Sequence, residues 1–416
     1  MRVTTAFNRL LRLDGVHVRQ VDIGSHTVTV TVALRRRALL CPRCPYRTMA
    51  RYDTRLVDSR WRHLDLGVFK LEVRARLRRL RCPDHGVVVE GVPFARPDAK
   101  FTRDVDDLVA WLATRTDKTA VTKLLRISWR TVGRICERVV ADVLDEHRLD
   151  ELFVIGIDEI SWRKQHHYLT LVSNHRTAKI VWAGPGRSAA TLDRFFAELG
   201  PERTKQLEAV SLDLGPAFHK SVNDNAPDVT ICADPYHLVA LANRAVDTVR
   251  RDIWQQLRRL PEPGLSVKFK RSRWALLKHP DTLTHSQQAT LRLIRRHDSA
   301  TWRAYQLKES LREIVTTRDT DDTIAGIVLD RWCGWAQRCR LEPFVKLART
   351  IRTHRESILA TVRLGWTNGR VEGLNNRVRL ISRRGFGFHS AEAVAALVML
   401  SCGPVTLRLP HEPKPE

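Results

Sequence analysis

The chain has 416 residues, of which 43% are hydrophobic and 28% charged, and 71 Lys+Arg stand against 46 Asp+Glu for a net charge of +25. At roughly 150 residues per domain this predicts two to four domains; the charge points to a polyanionic partner, because neutralised phosphates release condensed counterions. No stretch approaches 18 uncharged apolar residues, which excludes a helical membrane span.

The first residues carry no apolar leader, so a reducing cytoplasm with free thiols is expected. Residues 1–100 read as a β-rich module. Residues 16–23 and 27–33 alternate apolar and polar side chains about a turn at Gly24 and Ser25, and residues 68–77 alternate likewise. Cys41-Pro42-Arg43-Cys44 and Cys82-Pro83-Asp84-His85 form two knuckles. Each turns two soft or borderline donors toward one point, and four such ligands suit one structural Zn²⁺. Strands at 60–66 and 68–78 fill the gap between the knuckles. His63 is an alternative ligand, with a surface position the plainer reading; two accidental Cys-Pro turns are the plain alternative to the site itself.

Residues 101–150 turn to helical spacing. Residues 119–125 and 128–135 have the outline of a helix-turn-helix with Ser128 as N-cap. Val121, Leu124, Leu125, Val132 and Ile135 form its expected core, leaving Trp129, Arg130 and Arg134 outward for a major groove. A helical hairpin joining two domains is the alternative reading.

Alternation returns at 152–158, 167–172 and 179–182. A helix follows from Ser188, a strand at 209–213, a helix from Pro216 and a short strand at 229–232. Three successive strands followed by strand–helix alternation is the order of a ribonuclease H-like α/β core. Asp158 and Asp213 each end an apolar strand, where a carboxylate is costly unless paired or bound to a cation. Glu372 lies on a helix behind Asn368. Three hard oxygen donors of this kind hold two Mg²⁺ or Mn²⁺ ions for phosphodiester displacement. Asp213 also sits where a helix N-cap would, and Asp234 is a fourth candidate, as alternative ligand, as support for the others or as the cap of the next helix. Arg377, Arg379, Arg383 and Arg384 follow Glu372 closely, as phosphate grips or as a solvated helix face.

The expected division is 1–100 zinc-binding module, 101–150 helix-turn-helix, 151–235 first part of the catalytic core, 236–360 all-helical insertion, 361–403 last part of the core carrying Glu372, and 404–416 tail. The fold class is multidomain α+β: a zinc-ribbon-like β module, a helix-turn-helix, and a ribonuclease H-like core interrupted by a large all-α insertion.

Over nearly its whole length the chain resembles the ISL-three family of bacterial insertion-sequence transposases. The matching runs are Cys41 to Cys44, Gly156 to Glu159, Ser211 to Phe218, Asp234 to His237, Arg271 to Trp274 with Leu276 to Pro280, and Asn368 to Asn376 continued by Arg383 to Phe388. The resemblance implies a zinc module, a helix-turn-helix and a DDE triad that falls on Asp158, Asp213 and Glu372, with a helical insertion before the third carboxylate. His85 departs from the family by replacing what is often a cysteine. DNA partners are then the transposon-end inverted repeats and a target duplex, engaged by a homo-oligomer, with no membrane. The rival from another class is a non-catalytic DNA-binding regulator using only the zinc module and helix-turn-helix.

Overall fold

The computed structural model describes residues 1–163, 167–259, 263–317, 321–367, 369–384, 388 and 390–412. Two compact units emerge, Met1–Arg148 with Val378–Glu416, and Leu149–Arg377.

The first unit opens with α1 (Val3–Leu11), β1 (Val16–Ile23) and β2 (Thr27–Leu34). Short strands β3 (Leu39–Leu40), β4 (Arg47–Thr48) and β5 (Asp53–Thr54) follow, then β6 (Ser59–Arg62), β7 (Lys70–Ala75), β8 (Arg78–Cys82) and β9 (Gly86–Val89). One sheet runs β1-β2-β7-β6; β5-β8-β9 and β3-β4 form two smaller ones. The period-2 pattern explains the first sheet: Val28, Val30 and Val32 turn inward to meet Leu71, Val73 and Trp61, while the threonines between the valines stay partly exposed. Trp61 meets Phe94 edge-on at 5.0 Å. The strands expected at 60–66 and 68–78 are shorter than the sequence pattern implies. Leu66 and Phe69 close a tight turn around Gly67, whose φ of 58° suits glycine, and this draws the strand ends back.

Next come α2 (Arg103–Arg115), α3 (Lys118–Leu125) and α4 (Trp129–Val143). Ser128 caps α4 by accepting from Thr131 N–H, and Asp117 caps α3 in the same way. Between α3 and α4 the chain turns at Arg126 with φ 52°. Arg126 ties that turn to the β module through Asp65 at 2.9 Å. Behind the helices lies a buried charge network. Arg96 reaches Asp142 at 2.8 Å and Asp107 at 2.7 Å, and Arg138 grips the fully buried Asp106 at 2.8 and 3.0 Å.

The second unit is built on β10 (Val154–Arg163), β11 (His167–Asn174) and β12 (Lys179–Pro185), then α5 (Ala189–Leu199), α6 (Pro201–Thr204), β13 (Ala209–Leu212), α7 (Pro216–Asn225) and β14 (Thr230–Ala233). The sheet order is β12-β11-β10-β13-β14. Strands β10, β13 and β14 are parallel, and β11 is antiparallel to both its neighbours. Strands covered on both faces read as continuous apolar runs, and β13 is buried at every residue. Ile155, Ile157, Val210 and Leu212 meet Phe195 of α5 and Phe218 of α7 on one face. Val154, Ala209 and Cys232 meet Ala360 on the other.

From α8 (Pro235–Leu257) the described residues are helical. There follow α9 (Pro263–Arg271), α10 (Arg273–Leu277), α11 (His285–His297), α12 (Ser299–Thr316), α13 (Asp322–Arg338), α14 (Glu342–Thr353) and α15 (Arg355–Leu364). They share one core that includes Phe269, Leu307, Trp332 and Phe344. Thr361 of α15 donates to the Ala233 carbonyl at 2.8 Å, pinning this helix to β14. Helix α16 (Gly369–Arg384) starts in the second unit and ends in the first, where α17 (Ala391–Cys402) packs against α4 and α2. No helix among the described residues is long and apolar enough to cross a membrane.

Candidate active site

The two knuckles of the first unit come together. The donor atoms of Cys41, Cys44, Cys82 and His85 all lie within 4.8 Å of one another. Cys44 and Cys82 sulfurs are 3.5 Å apart, and His85 Nδ1 stands 3.6 Å from Cys82 Sγ and 3.7 Å from Cys41 Sγ. Tetrahedral Zn²⁺ with bonds of about 2.0–2.3 Å needs ligand–ligand edges of roughly 3.5–3.8 Å, so the quartet fits that ion. Its electrostatics agree. Despite a backbone bond from Tyr46, burial and the Cys82 and Cys41 sulfurs push the Cys44 thiol up to about 11. Burial also opposes ionisation of Cys82, yet hydrogen bonding with His85 and its backbone brings that thiol down to about 7. One thiolate thus raises the cost of the next, a conflict that a divalent cation removes.

His63 stands apart from the quartet and is not at the surface. It is 6% exposed, its Nδ1 lies 2.8 Å from Thr102 Oγ1, and burial lowers its pKa to about 4. Its partner comes from the start of α2, 39 residues further on, which the local pattern around His63 did not reveal.

Within the helix-turn-helix segment Val121, Val132 and Ile135 are buried, as their spacing predicts. Leu124 is not: it is 65% exposed, because α3 turns that position outward. Arg130 and Arg134 are exposed on α4 and Trp129 is half-buried. The Lys118 ammonium lies under the Trp129 ring at 4.8 Å and under Phe388 at 4.5 Å, and among the described residues it has no hydrogen-bond partner.

In the second unit the carboxylates fall into register. Gly156 pairs with Ser211 and Ser211 with Cys232; two residues beyond these positions stand Asp158, still within β10, and Asp213 and Asp234, each just past the end of its strand. All three thus lie toward the carboxyl ends of β10, β13 and β14, where the parallel pairing stops. Ligand sites of open α/β sheets occupy such edges.

Asp158 does not end its strand as the sequence pattern suggested. β10 continues to Arg163 on hydrogen bonds to β11, and Asp158 marks the point where its parallel neighbour β13 stops. Asp213 Oδ1 accepts from Gly215 N–H at 2.9 Å. Asp234 is 4% exposed and caps α8 by accepting from Tyr236 N–H at 3.3 Å, with His237 Nδ1 at 3.7 Å.

Glu159, next along β10, reports on the local field. Burial first, then the Asp213 carboxylate and more weakly that of Asp158, push its carboxyl up against Arg187 and His237. Excess negative charge at a strand edge is the setting that a hard divalent cation relieves. Among the described residues only the Cys41 quartet gathers its donor atoms within 4.8 Å; the strand-end aspartates are not gathered in this way. The Glu372 side chain lies outside the described residues, as do Asn368, Gly385, Phe386 and Gly387, although residue 372 falls within α16. Arg377, Arg379, Arg383 and Arg384 are exposed on that helix.

One neighbour of Asp213 was not singled out in the sequence. His219 Nε2 lies 3.0 Å from the Asp213 carbonyl oxygen, and its ring sits 5.0 Å from that of His354. It follows Asp213 by six residues, and only the geometry of the β13–α7 turn brings it back.

A metal-knuckle module, a helix-turn-helix and an acidic strand edge on a strongly basic chain are the equipment of an enzyme that works on DNA. Comparison with known proteins agrees segment by segment. Residues 37–85 match a family model described as the zinc-finger of transposase IS204/IS1001/IS1096/IS1165. Residues 90–140 match the helix-turn-helix domain of transposase family ISL3, and residues 155–398 match its transposase domain. The chain is 40% identical over 431 residues to the transposase for insertion sequence element IS1557 of Mycobacterium tuberculosis, with 96% of each chain covered. It is 25% identical over 368 residues to the transposase for insertion sequence element IS1001 of Bordetella parapertussis, covering 88% of this chain and 89% of that one. The chain belongs to the ISL3 family of insertion sequence transposases. It is therefore a DNA transposase of the DDE group and not a regulator alone, and its ISL3 domains imply binding to DNA.

Proposed function

We propose that Asp158, Asp213 and Glu372 form the catalytic triad, that they hold two Mg²⁺ or Mn²⁺ ions, and that they act on a ribonuclease H-like core. The observation that supports this reading is that Asp158, Asp213 and Asp234 stand toward the carboxyl ends of three adjacent parallel strands, with the Asp213 and Asp158 charges both acting on Glu159. Of the two aspartates just beyond β13 and β14, Asp213 is the ligand and Asp234 the support. Asp234 is nearly buried and already caps α8, whereas Asp213 stands on the loop beyond β13 with one carboxylate oxygen bonded to its own turn.

The chemistry has two in-line steps. A water attacks the phosphodiester at the element's end, and the 3′-oxygen leaves with a proton as a 3′-hydroxyl. That hydroxyl attacks a target phosphodiester, forming a new 3′–5′ linkage and expelling the target's own 3′-oxygen. The cations, when bound, stabilise charge on the attacking and leaving oxygens. The protein's part is to position both duplexes and to keep the carboxylates ionised and aimed.

The zinc quartet holds one structural ion and shapes residues 1–100. Residues 101–150 read the terminal inverted repeats through Trp129, Arg130 and Arg134. The core comprises 151–235 and 361–403, interrupted by the helical insertion 236–360, with 404–416 as tail. Arg377, Arg379, Arg383 and Arg384 grip phosphates close to Glu372. Two ends must be joined to one target, so the working form is a homo-oligomer. The protein works in the cytoplasm, on the nucleoid. A strand-transfer assay with precleaved end duplexes tests the two-step scheme: a terminal 3′-hydroxyl is expected to join to target DNA in Mg²⁺, and a terminal 3′-deoxy end to remain unjoined. Joining by the 3′-deoxy end would refute it.

A further inference from the structure

The ladder of the second sheet stops short of Asp213. β13 ends at Leu212, whose carbonyl still accepts from Asp234 N–H at 3.0 Å. One residue on, the Asp213 carbonyl has passed the last strand pairing, and a half-buried carbonyl needs a donor. His219 supplies it. Helix α7 begins at Pro216, and its first turn brings His219 back over the loop with Nε2 3.0 Å from Asp213 O. A carbonyl only accepts, so the hydrogen is on Nε2.

The opposite side of the imidazole rests on His354, at the corner between α14 and α15, with ring centroids 5.0 Å apart and planes at 55°. Residue 213 is thus held twice, its carboxylate Oδ1 by Gly215 N–H at 2.9 Å and its carbonyl by His219, and the His219 ring itself packs on His354. Together the first two bonds set the peptide plane and the carboxylate torsion, and so the direction of the remaining oxygen, Oδ2.

We propose that His219 is a positioning residue for Asp213, acting as a donor that replaces the missing strand partner and, backed by His354, aims the carboxylate at a divalent cation. This rests on the reading of Asp213 as a metal ligand. Groups that orient a ligand without touching the metal typically contribute about 10–100-fold in affinity. The donor, not the ring, is what matters. A side chain that keeps an N–H at this position is expected to preserve the function, and one that keeps only aromatic bulk against His354 is expected to lose it.

The test is Mn²⁺ binding to the zinc-loaded full chain, followed by the electron paramagnetic resonance of free Mn²⁺. His219→Phe, which retains a ring and removes the donor, is expected to weaken binding about 10-fold. His219→Gln, whose carboxamide N–H can reach the same carbonyl, is expected to stay within about threefold of the parent. Mn²⁺ titration of end cleavage is expected to shift by the same factors, with end-DNA affinity unchanged. Asp213→Asn separates the two layers of the argument. If it leaves Mn²⁺ binding intact, Asp213 is not a ligand and the underlying reading fails. If it abolishes binding while His219→Phe binds like the parent, or while Phe and Gln weaken it equally, the positioning role alone is overturned.

Discussion

Removing the zinc is expected to unfold the ribbon and spare the sheet beside it. The ribbon's own apolar core is small: Leu39 and Leu80 are its buried aliphatics, backed by the partly buried Tyr46 and Val88. Two buried leucines supply about 3–6 kcal/mol, whereas a structural Zn²⁺ typically supplies about 10–16 kcal/mol of folding free energy at neutral pH. The metal is thus the larger contribution, and strands of two residues such as β3 and β4 cannot persist without it. The neighbouring sheet buries Val28, Val30, Trp61, Leu71, Val73 and Phe94 in a core that shares no buried residue with the ribbon. After chelation, with zinc loss verified by elemental analysis, hydrogen–deuterium exchange is expected to rise to unfolded rates across residues 37–48 and 78–89. Residues 16–34 and 70–75 are expected to keep their protection. Zinc-free protein with an unchanged ribbon would refute the reasoning, and so would collapse of the whole β module.

Other perturbations probe the rest of the first unit. The buried His63 has a pKa lowered to about 4 from an ordinary 6.5, so the fold favours its neutral form and stability is lost as pH falls through that window. Asp104, 4.0 Å away and partly exposed, does not offset the burial. Between pH 7 and pH 5 the parent is expected to lose about 2 kcal/mol more than His63→Gln in denaturant titrations, from about 1.5 pH units at 1.36 kcal/mol each; parallel curves would count against it. Arg96→Met removes the buried guanidinium that Asp106, Asp107 and Asp142 share, while Arg103 still holds Asp142 and Arg138 still holds Asp106, so it is expected to cost about 3 kcal/mol, the low end for breaking a buried pair, read as a fall in melting temperature; a loss under 1 kcal/mol would show the network to be dispensable. Arg130→Ala and Arg134→Ala are expected to reduce the ratio of end-specific to random DNA binding, whereas Arg383→Ala weakens both equally and lowers the salt slope by about 1. If the helix variants leave that ratio unchanged, α4 does not read sequence.

What the sequence made legible was periodicity and spacing. Alternation at 27–33 gave β2, Ser128 and Ser188 gave caps, and two Cys-Pro knuckles gave a quartet that closes across 38 residues. The aspartates stand out as polar interruptions of apolar runs, but their meeting at one end of the sheet depends on the pairing of β10 with β13 and of β13 with β14, and register between distant strands leaves no local trace. For the same reason β10 seemed to end at Asp158, since its continuation is stabilised by β11 rather than by its own pattern. His63, Lys118 and His219 escaped notice or were misplaced because polar residues at unremarkable positions acquire roles only from what folds against them.

Catalysis is proposed to rest on the acids at the strand ends. Single-turnover cleavage of an end-containing duplex in Mg²⁺ tests it most directly, with binding to the same duplex measured in parallel on Asp158→Asn, Asp213→Asn, Glu372→Gln and Asp234→Asn. The first three are expected to lose cleavage by about 10³-fold or more with end binding unchanged, and Asp234→Asn to retain measurable cleavage. Cleavage surviving in Asp158→Asn or Asp213→Asn, or lost only in step with DNA binding, would contradict the account.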